Sequence, residues 1–258
     1  MKRVATALIL VPVAVWLAIF APSWAFEAAV ALVGLLAFQE FDHIAAAQGV
    51  PKAGLPGMAA GLALLFVPQF PMIVVIGLAA MALALRFQNL ASALPGAAVF
   101  LLGVVYIFGS WRCAIELRLI NPHWLMIALL VSWAGDTAAL YAGKAFGKHK
   151  MAPHVSPGKT WEGAVGSVIG AVIAVVVYAH FLIPEEPVSS VLAIAILANA
   201  AGQAGDLCES AFKRGAGLKD SGAMLPGHGG WLDRIDASLF SVPVVYAARL
   251  FIMSHVQI

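Results

Sequence analysis

The sequence predicts an all-α, polytopic integral membrane protein with about nine transmembrane helices, which form a single membrane domain over residues 1–258. Hydrophobic residues make up 62% of the chain and charged residues only 11%, whereas a soluble domain carries roughly 25% charged residues. The apolar residues form runs that approach the length needed to cross a hydrocarbon core, about 20 residues per helix. These runs lack the alternation that marks the strands of a membrane barrel. We therefore expect lipid to cover most of the surface.

Nine apolar runs, separated by proline, glycine or charged residues, give the predicted helices. They lie at about residues 4–21, 25–41, 54–68, 72–88, 95–111, 123–143, 162–183, 189–208 and 236–254. The first run follows Lys2 and Arg3, as in a secretory signal peptide, but it is long for one and further runs follow it. We therefore expect the first helix to be retained.

The distribution of basic residues predicts the orientation, because cytoplasmic loops of membrane proteins are rich in Lys and Arg. With a cytoplasmic N-terminus and nine spans, twelve of the fifteen Lys and Arg residues fall inside, and only Arg112, Arg118 and Arg249 fall outside. Two polar loops, at about residues 143–161 and 208–236, then both face the cytoplasm. We expect a multi-pass protein of the cell (inner or plasma) membrane with its active site on the cytoplasmic side.

The two polar loops also divide the domain by role. Residues 1 to about 120 carry only scattered charges and are interpreted as a helical scaffold. These charges include Glu27, Glu40, Asp42 and Glu116. Residues from about 121 to 258 contain both polar loops and are expected to be catalytic. The small residues at 202–205 permit close helix approach, which is compatible with a homodimer. No nucleic-acid partner is expected.

The second polar loop begins with charged residues that continue the eighth apolar run. On a helix, Asp206, Glu209, Ser210 and Lys213 lie at positions i, i+3, i+4 and i+7 and share one face. A carboxylate at membrane depth costs several kcal/mol unless it meets a partner or a cation. Asp206 is therefore a candidate functional residue. The alternative is a buried Asp–Lys pair that ties two helices together.

Glycines and charged residues alternate in the rest of this loop. Asp233 and Asp236 lie one turn apart, and with Asp206 they could converge on a hard cation such as Mg²⁺. Carboxylates that hold a metal, surrounded by basic residues that hold phosphates, suit a metal–polyphosphate complex. The basic residues are Lys213, Arg214, Lys219 and Arg234, and the glycines able to bring N–H groups to an anion are Gly227, Gly229 and Gly230. His228 is left open as a phosphate donor, a residue beside the metal or a loop-ordering residue. A solvated basic loop would explain the cations but not the interleaved carboxylates.

The first polar loop ends in Gly158-Lys159-Thr160, which invites comparison with a phosphate-binding P-loop. Pro153 stands where that motif requires its first glycine, and no strand is expected before it, so the P-loop is rejected. Lys159 at a helix N-terminus remains a plausible phosphate site. Asp136, a second intramembrane carboxylate, is left open between a substrate-linked role and a helix–helix hydrogen bond.

Together these residues resemble a known family. The run Ser210-Ala211-Phe212-Lys213-Arg214, then Lys219-Asp220, His228-Gly229-Gly230 and Asp233-Arg234-Ile235-Asp236, closely resembles the signature of the CDP-diacylglycerol synthases, or phosphatidate cytidylyltransferases. Residues 156–163 resemble a second family segment. Two positions depart from the pattern: Trp231 replaces an aliphatic residue, and Gly158 replaces a common lysine. The second departure removes a cation from a possible phosphate site.

The resemblance implies that phosphatidate, held in membrane lipid, attacks the α-phosphorus of CTP and yields CDP-diacylglycerol and pyrophosphate. It implies Mg²⁺ as cofactor, associates a monovalent cation such as K⁺ with the site, and matches Asp206 and Asp233 to the metal-binding aspartates. Lys213, Arg214, Lys219 and Arg234 are then expected to stabilise pyrophosphate or the lipid phosphate, and Asp236, Asp220 and Ser210 to arrange the metal's surroundings. His228 joins the expected catalytic residues, and Ser210, Lys159, Gly229 and Gly230 the substrate-binding residues.

Three rival functions remain open to test. A transporter of a nucleotide or phosphorylated metabolite would use Asp136 and Asp206, but transporter sites lie near the midplane, whereas these charges cluster at one face. A CTP-using enzyme that acts on a polyprenol or another lipid would differ in its lipid-binding grooves, which the sequence does not reveal. A non-catalytic scaffold leaves the acidic cluster unexplained.

Overall fold

The computed structural model describes residues 2–67, 70–225, 227 and 229–256. Helices dominate, as predicted. They are α1 (Lys2–Ile19), α2 (Ser23–Ala47), α3 (Gly54–Phe66), α4 (Phe70–Ala84), α5 (Ala93–Gly103), α6 (Ser110–Ile120), α7 (Pro122–Phe146), α8 (Trp161–Leu182), α9 (Val188–Gly215), α10 (Leu232–Ile235) and α11 (Ser238–Val256). A 3₁₀ turn at Leu90–Ser92 precedes α5, and a π-helical segment at Val104–Gly109 joins α5 to α6.

Six helical stretches in the described part of the chain are long and apolar enough to cross a membrane. They are Ser23–Ala47, Leu90–Ile120, Pro122–Phe146, Trp161–Leu182, Val188–Gly215 and Leu232–Ser254. The predicted count of nine spans is therefore wrong by this measure, although each of the nine runs is helical. Three of the predicted runs do not qualify: the apolar helix of α1 counts only over Leu8–Ile19, α3 has 13 residues and α4 has 15. At 1.5 Å per residue α3 and α4 extend only about 20–23 Å, short of a hydrocarbon core of about 30 Å.

The two short helices follow each other in the chain, which limits the consequence for topology. If α3 and α4 both cross the membrane, or if neither does, α2 ends on the side where α5 begins. The orientation predicted for α5 onward from the basic residues does not depend on which alternative holds. It stays a prediction.

A small antiparallel hairpin interrupts the helices between α7 and α8, where no strand was expected. Its strands are β1 (Lys150–Ala152) and β2 (Ser156–Thr160), with Lys150 opposite Thr160. Strands of three and five residues, one of them containing Pro157 and Gly158, give no alternating apolar pattern that a sequence could display. Rejection of the P-loop still stands on Pro153.

The described chain divides into two compact units. The first unit comprises Met1–Leu17, Ala21–Arg112 and Phe212–Arg234. Its core is aromatic: the Phe38 and Phe108 rings lie 5.6 Å apart, and Phe41 meets Phe212 edge to face at 6.4 Å. Side chains of Phe38 and Phe108 occupy the space that a Cβ would need at Gly57 and Gly61 of α3.

The second unit comprises Ala18–Phe20, Cys113–Ala211 and Ile235–Ile258. Here α8 packs along α7, because Gly166 and Gly170 lie directly against alanine side chains of α7. Small residues let helix backbones approach closely at membrane depth. A polar network on α9 adds hydrogen bonds: Gln203 donates to Asn199 at 2.7 Å, and Asn199 donates to Ser167 at 3.0 Å.

Candidate active site

In the first unit, residues 216–231 join α9 to α10 and form the signature loop. Asp233, just after this loop, accepts hydrogen bonds from the backbone N–H groups of Ser221 at 2.9 Å and Gly230 at 2.8 Å. It also forms an ion pair with Lys213 at 2.5 Å, and the two side chains are only 5% and 10% exposed. A charge this buried is tolerated only when it is paired and hydrogen-bonded. The loop thus folds around the Asp233 carboxylate.

Glu40 of α2 is a second buried carboxylate beneath the signature loop, and the sequence analysis did not single it out. Its side chain accepts hydrogen bonds from the Ser221 hydroxyl at 2.7 Å, from the Trp231 N–H at 3.0 Å and from the Leu232 N–H at 2.9 Å. The residue is 4% exposed. A charge inside an apolar helix is a functional candidate by default. Asp206 was singled out on this ground, and Glu40 was not.

A cavity of about 470 Å³ opens beside the signature loop. Its described lining is Asp220, Gly222, Ala223, Leu225, Gly227, Gly229 and Arg234. The Leu225 N–H donates to the Gly229 carbonyl at 2.9 Å and narrows the loop tip. Gly227 and Gly229 have φ of +79° and +82°, a backbone conformation that other residues rarely adopt. Besides three glycines and two apolar residues, the lining holds one carboxylate and one guanidinium, so the cavity can accept a polar, charged ligand.

In the second unit, Lys159 of β2 and Asp206 of α9 meet although they lie far apart in the sequence. The Lys159 ammonium lies 2.7 Å from Asp206, and Ser210 donates to the same carboxylate at 3.2 Å. Both side chains of the ion pair are partly exposed, at 25% and 32%. The two segments that resemble the family are therefore joined here. The pair differs from the alternative of a buried Asp–Lys link between two helices, because Lys159 lies in β2 and both side chains are partly exposed.

Glu162, to which the sequence assigned no role, fixes the start of α8. Its carboxylate accepts from the Lys148 N–H at 3.1 Å and bonds the His149 ring at 2.6 Å. Thr160 caps the helix, since its hydroxyl accepts from the Gly163 N–H at 3.1 Å. These contacts hold the hairpin that carries Lys159.

Further carboxylates of the second unit surround Asp236. Its side chain accepts from the Ala237 N–H at 2.7 Å, and Asp206, Glu209 and Asp136 lie near enough to repel its charge. Glu209 is fully buried. Carboxylates gathered in this way favour a bound cation. Yet the described residues include no three His, Cys, Asp or Glu side chains placed to hold one metal ion, so the metal assignment stays a prediction.

The remaining predicted residues differ in their availability. Lys219 and Asp220 are exposed, and Arg214 is exposed but donates to the Leu218 carbonyl at 2.9 Å. Gly230 is buried and gives its N–H to Asp233 rather than to open space. His228 lies outside the described residues.

Comparisons with known proteins agree with the resemblance. The sequence model of the family described as "Cytidylyltransferase family" matches residues 1–252. A phosphatidate cytidylyltransferase of Haemophilus influenzae is 36% identical over 158 residues, 58% of this chain and 55% of that protein. One from Staphylococcus saprophyticus is 42% identical over 149 residues, 58% of this chain and 57% of that protein. The chain thus spans little more than half the length of these two relatives. One from Staphylococcus aureus (strain COL) is 34% identical over 224 residues, 83% of this chain and 85% of that protein.

Proposed function

The chain belongs to the cytidylyltransferase family, and from this premise we propose that it transfers the cytidylyl group of CTP to phosphatidate. The products are CDP-diacylglycerol, which enters phospholipid biosynthesis, and pyrophosphate. One observation of the structure carries the proposal: the signature residues Asp220, Asp233 and Arg234 gather, with Lys213, at one loop with a polar cavity beside it. The relatives that bear this activity in their names support the choice of substrates.

The reaction asks little covalent chemistry of the protein. An oxygen of the phosphatidate phosphate forms a bond to the α-phosphorus of CTP. The bond from that phosphorus to the oxygen bridging to the β-phosphate breaks, and pyrophosphate leaves with the electron pair. The attacking oxygen is already anionic, so no general base is required. The protein must align the two phosphates and offset their charge.

Arg234 and Lys213 divide this electrostatic work in the first unit. Arg234 is exposed and lines the cavity, so its guanidinium can pair with phosphate oxygens from solution. Guanidinium groups bind phosphate in a bidentate manner. Lys213 is buried and held by Asp233, which fixes the position of its charge before substrate arrives. The exposed Lys219, next to the cavity-lining Asp220, adds a further cation near the cavity.

In the second unit, Lys159 is the proposed phosphate contact. Its ammonium is partly exposed at the side of Asp206, so a phosphate can approach it without desolvating a buried lysine. Ser210 orients the Asp206 carboxylate by its hydrogen bond of 3.2 Å. Substitution of Lys159 should therefore weaken substrate binding more than it weakens the fold.

Mg²⁺ is the proposed cofactor, with Asp206 and Asp233 as its proposed ligands. Carboxylate oxygens suit this ion, and Glu209 and Asp236 offer more of them near Asp206. Both oxygens of Asp233 already accept hydrogen bonds from N–H groups. A metal ion bound there would have to share these oxygens with the N–H donors. When bound, Mg²⁺ neutralises charge on the triphosphate. A monovalent cation such as K⁺ is proposed from the resemblance alone.

The location proposed for the reaction follows from the two substrates. CTP is soluble and reaches the protein from the cytoplasm, while phosphatidate keeps its acyl chains in the bilayer and its phosphate at the interface. Clusters of signature residues at helix ends suit that meeting point. A homodimer remains proposed from the small residues at 202–205.

An assay with purified protein in detergent tests the proposal. Labelled CTP should be converted to a lipid product with phosphatidate, with about equimolar pyrophosphate, and neither a polyprenol nor diacylglycerol should replace phosphatidate. Exhaustive chelation should abolish the reaction, and Mg²⁺ should restore it. A transporter would form no covalent product. Activity with a polyprenol alone would assign the chain to another lipid substrate.

A further inference from the structure

Glu40 lies in α2 and bonds a loop that begins more than 170 residues later in the chain. Its contacts bring the two ends of the signature loop together: Ser221 near the first end, and Trp231 with Leu232 at the second. Gly222 and Gly230 lie directly against the carboxylate, where a Cβ would overlap it. A single side chain therefore closes the base of the loop whose other residues line the cavity.

The Glu40 carboxylate also acts on Asp233 through Ser221. The Ser221 hydroxyl donates to Glu40 at 2.7 Å and accepts from the Asp233 N–H at 3.3 Å, while the Ser221 N–H donates to the Asp233 carboxylate at 2.9 Å. Ser221 is 2% exposed. Asp233 in turn holds Lys213. A shift of Glu40 must move Ser221 and, with it, the ion pair.

The Ser221 hydroxyl and the Trp231 and Leu232 N–H groups all donate to Glu40, so this position requires two accepting oxygens. A glutamine of the same shape would keep one accepting oxygen and turn an NH₂ group toward an N–H or O–H donor. At least one buried donor would then lose its acceptor. Glu40→Gln thus changes the hydrogen bonding with almost no change of volume.

We propose that Glu40 is a positioning residue for cytidylyl transfer. Its carboxylate holds Ser221 beside Trp231 and Leu232, so that Asp233 keeps Lys213 in place for the transition state of the reaction. This role rests on the proposed function. A residue that only stabilises the fold would make the same contacts. A control variant must therefore remove a similarly buried, hydrogen-bonded carboxylate.

Asp42 supplies that control, because it lies two residues from Glu40 on the same helix. It is 3% exposed, and its carboxylate accepts from the Ala53 N–H at 2.9 Å and the Gly54 N–H at 2.7 Å at the start of α3. Asp42→Asn removes a buried carboxylate that binds two backbone donors, and these donors belong to the start of α3 rather than to the signature loop. The two variants should lose similar thermal stability.

Kinetics then separate the two roles. Glu40→Gln should lower kcat by roughly 10- to 100-fold, because small misplacements of charged groups cost that much. The KM for CTP should change less than about threefold, as expected when a transition-state interaction is lost. Asp42→Asn should keep kcat within about threefold of the unaltered protein. Ser221→Ala removes the link itself and should reproduce the kcat loss, so it serves if Glu40→Gln does not fold.

Hydrogen exchange gives a readout that does not need enzymatic activity. Glu40→Gln should speed amide exchange in peptides that cover residues 221–233, where either Trp231 or Leu232 loses its acceptor. Asp42→Asn should speed exchange only around residues 53–57. If the unaltered protein lacks cytidylyl transfer, the proposed function fails while this pattern still reports on the loop. Unchanged exchange at 221–233 in Glu40→Gln overturns the positioning role. Equal kcat losses in the Glu40 and Asp42 variants overturn it as well.

Discussion

The ion pair between Lys213 and Asp233 permits a quantitative prediction for Asp233→Asn. The substitution keeps the side-chain shape but leaves the Lys213 ammonium, whose side chain is 10% exposed, without its carboxylate. Breaking a buried pair by removing one partner costs about 3–5 kcal/mol. The asparagine NH₂ group also faces the Ser221 or Gly230 N–H, which adds about 1–3 kcal/mol for an unsatisfied donor.

The assay compares thermal unfolding with turnover for a set of three variants. The two contributions together, about 4–8 kcal/mol, correspond to a fall in Tm of about 8–32 °C for a chain of this size. Lys213→Met should be destabilising too, since Asp233 is then buried with only N–H donors. The double variant should lose less than the sum of the two single losses, by about 2 kcal/mol. Its catalytic activity should stay abolished, because both charges are gone.

This pattern separates folding from catalysis. Stability recovered in the double variant without recovered turnover means that the pair is needed for the reaction and not merely for the fold. Additive losses, within about 0.5 kcal/mol, would refute the buried pair. Full turnover in any of the three variants would refute its part in catalysis.

Three further predictions concern single sites. Gly230→Ala should lower Tm and turnover, because the added Cβ would overlap Glu40 and Ser221. Gly158→Ala, with open space at that position, should leave Tm and turnover unchanged. Equal effects of the two substitutions would contradict the close packing of Gly230 against Glu40. Lys159→Met should raise the KM for CTP or phosphatidate at least about tenfold with little change in Tm, because the pair with Asp206 is partly exposed; an unchanged KM would remove Lys159 from substrate binding. Arg249→Met breaks the ion pair with Glu186 at 2.8 Å and should lower Tm while turnover per folded molecule stays constant; lost turnover in the folded protein would contradict a purely structural role.

The helices were predictable because each one leaves a local record. For α7 this local signal is the apolar run at 123–143 together with Asn121, which caps the helix just before Pro122. Both features can be identified without knowledge of the tertiary structure. The number of membrane spans was harder to predict, because the apolar runs at 54–68 and 72–88 extend beyond the short helices α3 and α4. A sequence does not mark where such a helix stops.

The candidate site was predictable where its residues share a segment. Asp233 and Lys213 were singled out from charge spacing around one loop. Glu40 was missed because its partners Ser221, Trp231 and Leu232 lie 181, 191 and 192 residues away. No local sequence pattern indicates contacts over such distances. The only available signal was that a charged residue inside an apolar helix needs a partner. Lys159 and Asp206 were each proposed, but their pairing required the fold.

Isotope transfer tests the central claim most directly. The purified protein, phosphatidate, Mg²⁺ and CTP labelled with ³²P at either the α- or the γ-phosphate are incubated, and lipid is separated from water-soluble products. Cytidylyl transfer predicts that the α-label enters the lipid, that the γ-label appears only in pyrophosphate, and that Asp233→Asn abolishes both transfers. The γ-label in lipid would contradict the proposed reaction, and so would a complete lack of lipid label from a folded preparation.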